Sequence, residues 1–173
     1  MTMTYKQALR RELSARFHEL QDHGFSIYAI TLTYKNFARY ALPSSVAESY
    51  LHDVHKALTK NLVHARHYNR SSLQDLKPSL IAAPERKGES GHWHHHGILA
   101  LHPDLVGKMH PFAGTNALKQ LHEKLLTTDV REAYDIDGWL DYMVADNTAA
   151  KNIVFCHLHN PLNATPAIEE VMP

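Results

Sequence analysis

Gly91-His92-Trp93-His94-His95-His96-Gly97-Ile98-Leu99-Ala100-Leu101 runs alternating histidines straight into an apolar stretch, and its reading decides the fold. In an extended chain, residues two apart share a face and stand about 7 Å from each other. His92, His94 and His96 therefore line one side of a strand. The apolar run behind them marks that strand as central, with a backbone rigid enough to hold ligands in place. Just upstream, Arg86 to Gly91 is a polar turn, and Leu80-Ile81-Ala82-Ala83-Pro84-Glu85 is a second, weaker strand. Together the two read as a hairpin.

Further out, Tyr5, Leu9, Leu13, Phe17 and Leu20 recur at helical spacing, and His23-Gly24 stops that helix. Ile27 to Thr33 is a β-branched and aromatic run that predicts a buried strand, followed by a polar exit at Tyr34-Lys35-Asn36. Ser45 with Glu48 forms a capping-box pattern for a helix running to about Arg66, with a stripe of Val46, Tyr50, Leu51, Val54, Leu58 and Leu62. Leu118, Leu121, Leu125 and Leu126 suit a helix within residues 114 to 127, and Asp137 opens another through Asp146. Asn152 to Leu158 is a last apolar strand. Three or four strands interleaved with helices predict an α+β fold, with helices covering an antiparallel sheet.

With 173 residues and 44% apolar content, the chain can bury one sizeable core. The expectation is one domain over residues 1–159 and a proline-containing tail over 160–173. No apolar run approaches a membrane span, and Met1 to Arg11 lacks a secretory stretch, so a cytoplasmic protein with no membrane partner is expected. The single cysteine, Cys156, excludes an internal disulfide and a cysteine-built zinc cluster. Eighteen Lys plus Arg balance eighteen Asp plus Glu, so any grip on nucleic acid must come from local patches rather than a global field. Lys35, Arg39, Lys56, Lys60, Arg66 and Arg70 are the candidate cations, and Tyr34, Tyr68 and Trp93 the candidate stacking surfaces.

Two histidines rarely suffice for a catalytic metal, and the hairpin offers Glu85 as an acidic partner. With an even-length turn, Arg86 to Gly91 or Lys87 to Ser90, Glu85 lies opposite His92 and on the face of His94 and His96. One carboxylate and two imidazoles suit Mn²⁺ or Mg²⁺, with nitrogen donors tilting the choice toward Mn²⁺. His94 and His96, which lead directly into Gly97-Ile98-Leu99, are the preferred pair; His92 with His94 is the other register. Further along, Ile136, Trp139, Leu140, Met143 and Val144 form an apolar stripe, and Tyr142 falls about 130° from its centre. A phenol is a weak nucleophile near neutral pH, but beside a metal that polarises a phosphodiester it can attack phosphorus.

The order Ile30-Thr31-Leu32-Thr33, then Glu85 with His94-His95-His96-Gly97-Ile98-Leu99, then a helical Tyr142, resembles the three motifs of the HUH endonucleases, the rolling-circle replication initiators of plasmids and small phages. The likeness spans residues 27 to 146. It implies a five-stranded antiparallel sheet with flanking helices, and site-specific nicking and joining of single-stranded DNA. It also implies Glu85, His94 and His96 as metal ligands, and Tyr142 as the nucleophile that becomes linked to the 5′ phosphate. The implied partners are single-stranded DNA or an origin hairpin, with host helicase and polymerase as separate proteins, since the chain has no phosphate-binding loop of its own. Two positions depart from the pattern. His95 stands where the family usually has a hydrophobic residue, and Ala145 stands where replication initiators commonly carry a lysine. Tyr134 is a reserve nucleophile. The competing reading is a catalytically inactive DNA-binding or metal-binding module on the same fold.

Overall fold

Thr4 starts the first helix: its hydroxyl accepts from the Gln7 amide while the Gln7 side chain accepts from the Thr4 amide, satisfying two donors that a helix start leaves open. The computed structural model describes residues 3–35, 44–63, 71–86, 93–145 and 151–158. In it α1 runs Tyr5–Asp22 and buries Leu13, Phe17 and Leu20, whereas Tyr5, on the first turn, is exposed. Gly24, at φ +84°, takes the left-handed conformation that turns the chain into the sheet.

Five strands follow: β1 (Ser26–Tyr34), β2 (Ser79–Arg86), β3 (Trp93–Leu101), β4 (Leu125–Glu132) and β5 (Val154–His157). They form one sheet in the order β4-β1-β3-β2-β5, with every neighbouring pair antiparallel. The expected α+β architecture with a five-stranded antiparallel sheet is what the chain adopts. Among the described residues, helices α2 (Ser44–Val63) and α4 (Ile136–Met143), with a single turn α3 (Val106–Met109), are the other α-helical elements, joined by short 3₁₀ turns.

The strands alternate between two cores. Ile30, Leu32, Leu80, Leu99 and Leu101 pack with Leu51, Val54, Leu58 and Leu62 of α2. Ile27, Ile81, Ala83, Ile98 and Ala100 pack with Phe17 and Leu20 of α1 and with Leu140 and Met143 of α4. Because β1 and β3 are buried on both faces, their sequences read as continuous apolar runs. Gly97 on β3 has no room for a side chain: a Cβ there would stand 2.6 Å from the carbonyl oxygen of Ile81 on the neighbouring β2. No helix among the described residues is long and apolar enough to cross a membrane.

Several sequence expectations need correction. Residues 125–132, placed partly within a helix, are strand β4, because Thr127, Thr128 and Val130 are β-branched and pair along β1. Only Ala117–Leu121 ahead of it is helical, as a 3₁₀ turn. Helix α2 includes Ser44, so Ser45 is inside it rather than its cap. Helix α4 starts one residue before Asp137; its cap is Asp135, whose carboxylate accepts from the Gly138 amide. The tail from residue 160 lies outside the described residues.

Candidate active site

The β2–β3 hairpin sets the site. Glu85 pairs with His94 and Ala83 with His96, two residues out of the expected register, which placed Glu85 opposite His92. The connection over residues 87–92 is even in length, so the parity argument holds and Glu85, His94 and His96 share the face covered by α1 and α4. His92 lies outside the described residues.

Strand β1 supplies the next layer. Thr31 and Thr33 pair with His96 and His94, and their hydroxyls meet the imidazoles at Nδ1, 3.2 Å and 3.0 Å away. Fixing Nδ1 on each ring turns the Nε2 edge to the site, as metal-binding histidines require. The two rings stand parallel with centroids 6.0 Å apart. His96 Nε2 contacts Glu85 Oε2 at 2.8 Å.

Tyr142 completes the cluster from α4. Its hydroxyl donates to Glu85 Oε2 at 3.1 Å and lies 3.5 Å from His96 Nε2, and its ring stands edge-on to that imidazole. Burial, then the hydrogen bond and charge of Glu85, raise the phenol above its ordinary pKa. Trp139, one turn earlier, stacks on Tyr142 and donates its indole N–H to the Gly97 carbonyl at 2.8 Å, pinning α4 to β3. Helix α1 holds α4 from outside: Arg10 pairs with Asp141 at 2.9 Å, Ser14 Oγ bonds Asp137 at 2.6 Å, and Lys6 Nζ donates to the Ala145 carbonyl at 2.7 Å. The apolar stripe that set Tyr142 apart thus left it on the flank facing the histidines, 48% exposed.

His95 points the other way. It is fully buried on the α2 face, edge-on to Tyr34, and neither ring nitrogen has a hydrogen-bond partner among the described residues. Burial pushes its pKa down to about 3, so it packs as a neutral, effectively hydrophobic ring. The unexpected histidine between the two site histidines is a core residue.

The structure separates other expected residues from the site. Tyr34 is buried and Trp93 half-buried in the α2-side core, so neither is a stacking surface beside Tyr142. Lys56 and Lys60 sit on α2, across the sheet from the histidine pair. Lys35 follows β1 at the end where Thr33 meets His94. Arg39, Arg66, Arg70 and Tyr68 lie outside the described residues. Tyr134 is fully exposed ahead of α4, and among the described residues its hydroxyl makes no hydrogen bond. Sequence reading missed Thr31, Thr33 and Trp139 as site-building residues; a threonine at every second position of the strand paired with the histidines was the available signal.

Among the described residues, no three His, Cys, Asp or Glu side chains already stand in a metal-gripping arrangement. The donor set nonetheless fits one: a half-exposed carboxylate against one imidazole, a second imidazole on the same face, and a hydroxyl behind each ring. His96 already stands against Glu85, and His94 faces it as a parallel ring with centroids 6.0 Å apart. Comparison with family models, with curated proteins and with solved structures gives no match.

Proposed function

We propose that this protein nicks and rejoins single-stranded DNA at a specific site, with a divalent metal and a covalent 5′-phosphotyrosine intermediate on Tyr142, in the manner of an initiator of rolling-circle replication. The observation that carries the reading is the Tyr142 hydroxyl lying 3.1 Å from Glu85 and 3.5 Å from His96. A helix-borne phenol and a hairpin's carboxylate and imidazole, distant in sequence, meet at one point. Neither group needs the other for the core.

Tyr142 attacks phosphorus, forming an Oη–P bond as the P–O3′ bond breaks and the 3′ hydroxyl departs. Glu85 Oε2 already accepts the phenol's hydrogen bond, so an acceptor for its proton is in reach. The Trp139 stack and the Gly97 bond hold the ring in line. Mn²⁺ or Mg²⁺, held by Glu85, His94 and His96, would offset charge on a non-bridging phosphate oxygen. Because the phosphotyrosine diester keeps the bond's energy, the 3′ hydroxyl can reverse the attack, and joining needs no ATP.

The test is direct. The protein is incubated with end-labelled single-stranded DNA pools and Mn²⁺, and a covalent adduct is sought on a denaturing gel. The expected result is an adduct that disappears with chelator and in Tyr142→Phe. An adduct retained by Tyr142→Phe overturns the nucleophile, and DNA binding with no adduct from any pool favours a module without cleavage.

A further inference from the structure

Beside the Tyr142 cluster, the same sheet face opens into a cavity of about 380 Å³ that the mechanism above does not use. It exists because β4 is an edge strand. The sheet surface between α4 and β4 is floored by small Ala29 and by Thr31, with Asp129 and Arg131 opposite them on β4. Trp139 forms the wall toward the site, and exposed Tyr134 stands on the rim. Two of these residues belong to the site as well: Thr31 bonds His96, and Trp139 stacks on Tyr142. The cavity is therefore the next room along any strand whose phosphate sits at Tyr142.

Its lining selects what enters. Asp129, Glu132 and Asp135 outnumber Arg131, which is itself paired with Asp129 at 2.8 Å, so a phosphate is repelled. The indole and phenol rings favour a flat, stackable guest, and the volume lies at the low end of small-ligand pockets. A carboxylate only accepts hydrogen bonds, whereas the neighbouring guanidinium only donates. Guanine presents two adjacent donors on its pairing edge and acceptors at O6 and N7, which matches that couple. Adenine and cytosine offer one amino group each, and thymine sets two carbonyl oxygens beside its only N–H.

We infer that this cavity is a base-specificity pocket that takes one unpaired nucleobase next to the scissile phosphate, guanine ahead of adenine and cytosine, and thymine last. The location beside a scissile phosphate rests on the nicking reading; the base preference rests on the pocket alone. The chain has two tryptophans, so a Trp93→Phe variant reports on Trp139 only. Titrated with the four deoxynucleosides, its fluorescence should be quenched saturably by deoxyguanosine, at least about ten-fold more tightly than by thymidine, and Asp129→Asn should remove that difference. The Trp139 indole N–H resonance of the unaltered chain gives the same titration should Trp93→Phe not fold. Equal quenching by all four nucleosides, no quenching, or an unchanged preference in Asp129→Asn overturns the pocket. Exchanging each base near the nick for thymine then separates the two readings. An adduct indifferent to every exchange overturns the pocket while nicking stands; deoxyguanosine binding through Asp129 with no adduct overturns nicking while the pocket stands.

Discussion

Thr31 and Thr33 decide how the histidines present themselves. A hydroxyl on Nδ1 fixes ring orientation and can accept the Nδ1 proton when Nε2 binds a metal, and removing such a partner from a ligating histidine weakens metal affinity by about 10–100-fold. Thr31→Val keeps the shape of the side chain and loses only that bond. Isothermal titration with Mn²⁺ should show the drop with an unchanged unfolding midpoint; equal affinity would mean the hydroxyl does not orient a ligand. Gly97 acts on stability instead. A methyl group there meets the Ile81 carbonyl and crowds the Ala82 Cβ at 3.0 Å, neither of which can move without disturbing the pairing of β2 with β3. Gly97→Ala should cost about 1–3 kcal/mol in urea unfolding, and it should slow adduct formation, since the Gly97 carbonyl also anchors Trp139. At this scale Glu85, His94, His96 and Tyr142 were legible because alternation and helical periodicity are local. Their supports were not: Thr31 and Trp139 matter through partners 65 and 42 positions away.

Helix α4 is a short element carrying Tyr142, the proposed nucleophile, and its ends are where it is vulnerable. Asp135 caps the first turn through the Gly138 amide, and a side chain at Gly138 would run into that carboxylate. Asp135→Ala should cost about 1 kcal/mol, a fall of about 2–4 °C in Tm for a chain of this size. The added fraying should lower the rate of adduct formation more than it lowers DNA affinity; an unchanged rate would show that Trp139 and α1 hold the helix without its cap. The Arg10–Asp141 pair is exposed at its acidic end, so a double-mutant cycle should return less than about 1 kcal/mol. The elements read well where composition was decisive. β1, β2 and β3 were placed to within about a residue or two, because β-branched and apolar runs bounded by turns leave few alternatives. β4 was misread because Leu118, Leu121 and Leu125 mimic a helical repeat, and only pairing along β1 selects the strand. The hairpin parity was readable, but its register depends on the conformation of the turn, which sequence spacing does not fix.

One sheet divides the molecule into the face that carries the candidate site and the face covered by α2, and the second holds buried imidazoles that set how the whole fold answers acid. His55 on α2 is 6% exposed and donates Nε2–H to the Pro78 carbonyl at 2.8 Å. Burial outweighs that bond and pushes its pKa down from 6.5 to about 4, while burial of His95 lowers its own to about 3. The sign follows from which state binds protons. Between pH 6.5 and 4 the unfolded chain takes up a proton at residue 55 that the folded chain refuses, so stability falls as the pH is lowered through that window. The loss is complete near the folded value. At 1.36 kcal/mol per pH unit the His55 contribution is on the order of 3 kcal/mol, and His95 extends the decline toward pH 3. Urea unfolding at pH 7, 5.5 and 4 should therefore give a steadily falling free energy. In His55→Leu the decline between pH 6.5 and 4 should become shallower by about half, the rest being carried by His95, although the variant starts lower at pH 7 because the Pro78 carbonyl loses its donor. A stability that stays level from pH 7 to pH 4 in the unaltered chain would mean that neither ring is shut away from solvent, and that the α2 face opens readily enough for protons to reach the core.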